Sequence, residues 1–163
     1  MENNASHDTP VPPDCFLLEE IQMLQSFEKQ VLDNVTYYIW HDQPEAGTMP
    51  HRFLYALELV FDSGESLLLS SGDDSEAIRL LTAESLVDTA DKLKQLHGKP
   101  VIQRVPAGMQ PVWREVVGAM LQHVRLSRNE AGFYLNDAVL LDFAERRVLV
   151  RLSEREGLLA GAY

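Results

Sequence analysis

The chain has 163 residues, 45 % of them hydrophobic and 24 % charged, the composition of one globular domain able to close a core without disulfides or metals. No apolar run approaches the roughly 20 residues of a membrane-spanning helix, and nothing in the composition marks collagen, a coiled coil or wholesale disorder. The net charge of −11 is unevenly spread: residues 1–98 hold 18 Asp or Glu against 5 Lys or Arg, while residues 99–163 hold 7 against 9. Such an acid excess repels phosphate, which argues against a nucleic-acid surface, and it attracts basic proteins.

Residues 1–13 are polar and end in Val11-Pro12-Pro13. Without a basic or apolar stretch they read as a disordered tail rather than a secretory signal, ahead of a single domain over 14–163. The lone Cys15 cannot form an intramolecular disulfide, which agrees with a reducing, cytoplasmic setting. Beside Asp14 it is a poor nucleophile and is expected as a small buried hydrophobe. Asp14 could cap a helix running to about Gln25, with Leu17, Ile21 and Leu24 as its buried stripe.

From Val31 the period becomes two, predicting a strand to His41 with Tyr37 and Ile39 on one face and Tyr38 and Trp40 on the other. A breaker-rich loop, 42–50, follows. Phe53, Tyr55, Leu57, Leu59 and Phe61 then mark one face of a strand, Asp62-Ser63-Gly64-Glu65 supplies a turn, and Leu67, Leu68 and Leu69 return. This predicts a hairpin near 52–71. Beyond the polar loop 72–76, Ile78 to Leu81 reads as a short strand or turn. A helix near 83–97 has Thr82 as N-cap, Leu86, Ala90 and Leu93 on one face, and Gly98 as its stop. Val101 to Val105, between Pro100 and Pro106, suits an edge strand. Pro111 can open a short helix carrying Val112, Trp113, Val116 and Val117. Val124 and Leu126 begin another strand, and a second hairpin is expected near 138–153, although its turn, Ala144-Glu145-Arg146-Arg147, lacks glycine.

A shift of 82 residues places Phe61 on Phe143, Leu67 on Leu149 and Ser71 on Ser153, which hints at a weak internal repeat. The fold class read from these patterns is α+β: an antiparallel β-sheet built from two hairpin-containing units, covered by two or three helices. Leu57, Leu59, Phe61, Leu67, Leu86, Leu93, Val148 and Val150 are the expected core.

No catalytic constellation emerges. His41 and His51 bracket the long loop, but a metal needs a third ligand at fixed geometry, and no His or Cys spacing suits zinc. Asp73-Asp74-Ser75-Glu76 lacks the alternating ligands and central glycine of a calcium loop. Nucleophile elbows and phosphate-binding glycine loops are absent. Neither an enzyme, nor a metal, nor a cofactor is therefore expected. Two features remain. Asp73, Asp74 and Glu76 concentrate negative charge, and Tyr38 and Trp40 give a strand a second apolar face that needs a cover. They predict a non-enzymatic cytoplasmic interaction protein, of the kind represented by inhibitors or immunity-type proteins, that binds a basic protein partner and neither nucleic acid nor membrane. The alternative is a small-molecule binder or enzyme with a pocket near His41, His51 and the strand aromatics.

Overall fold

A computed structural model describes residues 10–41, 52–71, 76–98 and 101–163. Among them are nine strands and three helices: α1 (Leu18–Ser26), β1 (Leu32–His41), β2 (Arg52–Phe61), β3 (Ser66–Ser70), β4 (Arg79–Leu81), α2 (Ala83–His97), β5 (Ile102–Pro106), α3 (Pro111–Arg114), β6 (His123–Arg125), β7 (Ala138–Asp142), β8 (Arg147–Ser153) and β9 (Gly157–Ala162). The sheet runs β4-β3-β2-β9-β8-β7-β6, with β1 beside β2 and β5 beside β1. Every strand pair is antiparallel except β2 with β9, which meet in parallel at Leu54 and Gly157.

This sheet curls until its two sides meet. The Leu32 N–H donates to the Ala119 carbonyl (3.0 Å), the Leu121 N–H to that of Gln30 (2.9 Å), and the Gln122 N–H to that of Asp142 (2.7 Å). The segment 118–122 thus joins the start of β1 to β7 and closes a ring through β2, β9 and β8. Inside lies one core of Leu57, Leu59 and Phe61 from β2, Val139 and Leu141 from β7, and Val148 and Val150 from β8. α1 adds Leu24 to it, the turn after α1 adds Phe27, and α3 adds the fully buried Trp113. The expected core residues are buried, apart from Leu93, which is partly exposed.

Both hairpins are present. Gly64 takes φ +88° in the first turn, where a side chain would be strained. In the second, Ala144 itself is left-handed (φ +75°), and its N–H is held by the Asp142 carboxylate at 2.9 Å. The 82-residue spacing carries the inward row of β2 onto that of β7. The returning strands differ by one residue, however: Leu59 faces Leu67, whereas Leu141 faces Val148 rather than Leu149.

Three expectations are revised. The first helix starts at Leu18 and not at Asp14, because Cys15 bridges Leu135 and the Phe16 N–H donates to the Tyr134 carbonyl. That pairing ties Cys15 and Phe16 to residues 134–135, and residues 13–14 form a turn closed by the Cys15 N–H on the Pro12 carbonyl. Glu20, not Asp14, closes the helix start by accepting the Leu17 N–H at 2.9 Å. Of the segment read as a tail, residues 10–13 are described, and the Pro13 carbonyl accepts from Arg79 and Asn136. The second revision concerns β2. Tyr38 pairs with Ala56 but Ile39 pairs with Leu54, so Tyr55 is the extra residue of a β-bulge and reverses the alternation. Leu54 turns inward, and Phe53 and Tyr55 turn outward with Trp40. The third is β9, which no strand pattern announced.

Candidate functional site

The outer face of β1 and β2 carries the aromatic residues that the bulge redirects. Trp40 meets Phe53 edge-on with ring centroids 6.2 Å apart, and Tyr55 at 6.4 Å. These are favourable edge-to-face geometries. α2 supplies part of the cover. Its N-cap Thr82 accepts the Ser85 N–H at 3.0 Å, and Gly98 ends it at φ +74°. Leu86 is the helix residue fully committed to this cluster, packing with Tyr55, Ala56 and Leu68. Tyr38 and Trp40 remain half-buried, so the helix covers the second apolar face only in part.

Tyr38 is held at both sides. Its hydroxyl donates to Glu58 Oε1 at 3.0 Å, and the Arg104 guanidinium, across the β1–β5 ladder, also bonds it. Burial first, then the Glu58 carboxylate, pushes the Tyr38 hydroxyl pKa up. The phenol is therefore a fixed donor and no candidate base.

Glu58 also lines a cleft of about 460 Å³ between α1 and the start of α2. Met23, Leu67, Leu68, Leu80, Leu81 and Ala83 make its apolar surface, and Glu19, Glu20 and Glu58 its charged one. Glu20 ties the helix to the sheet: it pairs with Arg79 at 2.7 Å and accepts the Leu80 N–H at 3.2 Å. The same contact shields β4, an edge strand whose free N–H groups would otherwise invite another strand. Glu19 has no ion pair among the described residues. Sequence reasoning missed this cleft because it depends on α1 docking beside a strand some sixty residues away. One signal was present: Glu58 is the single charged residue in the run Phe53–Phe61.

Of the residues singled out from sequence, Tyr38 and Trp40 share this face. Asp73 and Asp74 lie outside the described residues, and Glu76 is exposed on the approach to β4. The Ser71 N–H donates to the Tyr55 carbonyl at 3.0 Å, so the chain leaves β3 beside the aromatic cluster. His41 hydrogen-bonds Gln103 of β5; His51 lies outside the described residues. A second cleft, about 330 Å³, opens among Tyr37, Ile39, Leu54, Gln110, Leu158 and Ala160, with Glu156 and Leu159 beside them, and His41 does not line it. Cys15 is fully buried; burial first and then Asp14 raise its pKa, which leaves the thiol inert. Among the described residues no three His, Cys, Asp or Glu side chains converge as metal ligands, and no helix is long and apolar enough to cross a membrane. No known protein family, curated protein or solved structure matches the chain.

Proposed function

We propose that this chain is a non-enzymatic interaction protein, an inhibitor or immunity-type binder, that engages a basic protein through its acidic half. The observation that carries the reading is the coincidence of charge and apolar surface. The half with 18 acidic and 5 basic residues builds α1, β1–β4 and α2. On that half Tyr38 and Trp40 are half-buried, Tyr38 bonded to Glu58 and Trp40 packed on Phe53 and Tyr55. Aromatic residues with an incomplete cover are the usual anchors of a protein interface, and surrounding carboxylates select and steer a cationic partner. The Asp73, Asp74 and Glu76 cluster is assigned to steering, and Tyr38 and Trp40 to anchoring.

The test separates the two roles. Basic proteins are captured from extract with the whole chain at low and high salt, and their binding kinetics are measured. Reversing Asp73, Asp74 and Glu76 to Lys lowers the association rate about tenfold or more at low salt, with little effect at high salt. Trp40→Ala instead raises the dissociation rate, by about tenfold or more for an interface anchor. An association rate unchanged by the triple reversal, in a folded variant, removes the steering role. A dissociation rate unchanged by Trp40→Ala removes the anchor.

A further inference from the structure

The geometry points to the cleft between α1 and the start of α2 as a docking groove for a basic amphipathic helix of a partner protein. This inference rests on the basic-partner reading above and adds to its Tyr38 and Trp40 anchors a groove that adjoins Tyr38 through Glu58. The groove floor is aliphatic, from Leu68, Leu80 and Leu81, and Met23 stands on the α1 wall. Met23 is 52 % exposed. An exposed thioether beside aliphatic surface can repack around varied apolar side chains, which is how adaptable peptide-binding grooves use methionine.

The charges choose the occupant. Glu19 lies on the α1 wall and Glu58 on β2. Glu58 is bonded to the neutral Tyr38 hydroxyl, which Arg104 also contacts; among the described residues the cation paired with a groove carboxylate is Arg79, taken up by Glu20, and no Lys or Arg lines the groove. The groove therefore keeps net negative charge beside an apolar floor. A helix with leucine-like residues on one stripe and Lys or Arg flanking it satisfies both features. An acidic peptide would meet like charge, and a neutral apolar ligand would leave Glu19 and Glu58 unused. The neighbouring edge does not compete for a strand, because Glu20 and the Asn136 carbonyl already accept from Leu80 and Ile78 of the β4 segment.

The experiment uses the full chain and two fluorescein-labelled amphipathic helical peptides, one Leu/Lys and one Leu/Glu, followed by anisotropy. The Leu/Lys peptide binds, and the Leu/Glu peptide does not. Glu19→Gln with Glu58→Gln, which keeps an acceptor for Tyr38, weakens binding about tenfold at low salt; Met23→Asn, a charge-neutral polar change at an exposed helix position, weakens it about tenfold at any salt. Circular dichroism confirms that each variant is folded. Asp88→Lys with Asp91→Lys, on the exposed side of α2, changes affinity less than about twofold. Groove variants that bind as tightly as wild type overturn the inference, as does failure of the Leu/Lys peptide to bind. If only the α2 reversal weakens binding, the groove is wrong while the basic-partner reading stands. That reading fails separately, if no basic protein is captured from extract at low salt.

Discussion

Asp142 shows how one side chain can stand in for a glycine. It ends β7, is nearly fully buried, and accepts the Ala144 N–H at 2.9 Å. That bond pins Ala144 in the left-handed region, which an L-residue otherwise visits at a cost of about 1 kcal/mol. Arg125 at 3.2 Å and Arg147 at 3.7 Å complete its surroundings. The Ala144 N–H, with help from both guanidinium groups, holds the carboxyl below its ordinary value of 3.8 despite burial. A carboxyl whose pKa falls on folding stabilises the fold above its unfolded pKa, and the contribution disappears as pH falls through the folded value. Urea midpoints should therefore drop as pH is lowered below about 4, and Asp142→Asn should flatten part of that acid limb. At neutral pH the substitution costs about 1–2 kcal/mol, because both arginines are at least half exposed and screened. Identical pH profiles for the two proteins would show that Asp142 does not supply this dependence. A sequence reading that looked only for Gly in the turn could not find this substitute.

At the scale of elements, alternation was legible wherever a strand kept one face. Leu57, Leu59 and Phe61 announced β2 correctly, as Thr82 and Gly98 announced α2. The sequence could not show that Tyr55 is an extra residue, because Tyr55 is as apolar as the inward residue the pattern called for. The same ambiguity hid how the aromatic face is assembled: strict alternation groups Phe53 and Tyr55 with Leu57, Leu59 and Phe61, whereas the bulge turns them to the face of Trp40. β9 was illegible for a different reason. Gly157, Ala160, Gly161 and Ala162 are poor strand formers, and tertiary pairing with β8 and β2 overrides their preference. Gly157 is where that override is most demanding. Its φ is +79°, and an added Cβ would fall inside the contact radius of the Leu54 carbonyl oxygen. Gly157→Ala therefore strains the backbone and forces apart the one parallel contact between β2 and β9. A loss of at least about 2–3 kcal/mol in urea titration is expected. An unchanged midpoint would mean that β9 does not need this close approach.

For the whole molecule, the closing contacts decide how it unfolds. The acidic half supplies β1 and β2 and the other half supplies β6–β9, so the halves could have been separate folding units. The ring argues otherwise. β2 bonds β9 at Leu54, the start of β1 bonds residues 119–121, and Leu57, Leu59, Val139 and Leu141 share one core. Neither half can open without exposing apolar side chains of the other, which makes one cooperative transition the expected behaviour. The two tryptophans allow a direct test. Trp113 is fully buried in that core and donates its Nε1–H to the Tyr37 hydroxyl of β1 at 2.7 Å, so its fluorescence reports contact between the halves. Trp40 lies on the outer face and is half-buried, so Trp40→Phe leaves Trp113 as the single indole at modest structural cost. In that variant, urea unfolding followed by Trp113 fluorescence and by far-ultraviolet circular dichroism should give the same midpoint and the same slope, about 1–3 kcal/mol per molar urea. Fluorescence that changes ahead of the dichroism would mean that the ring opens at the Trp113 contact while strands persist, and the chain would then unfold as two units.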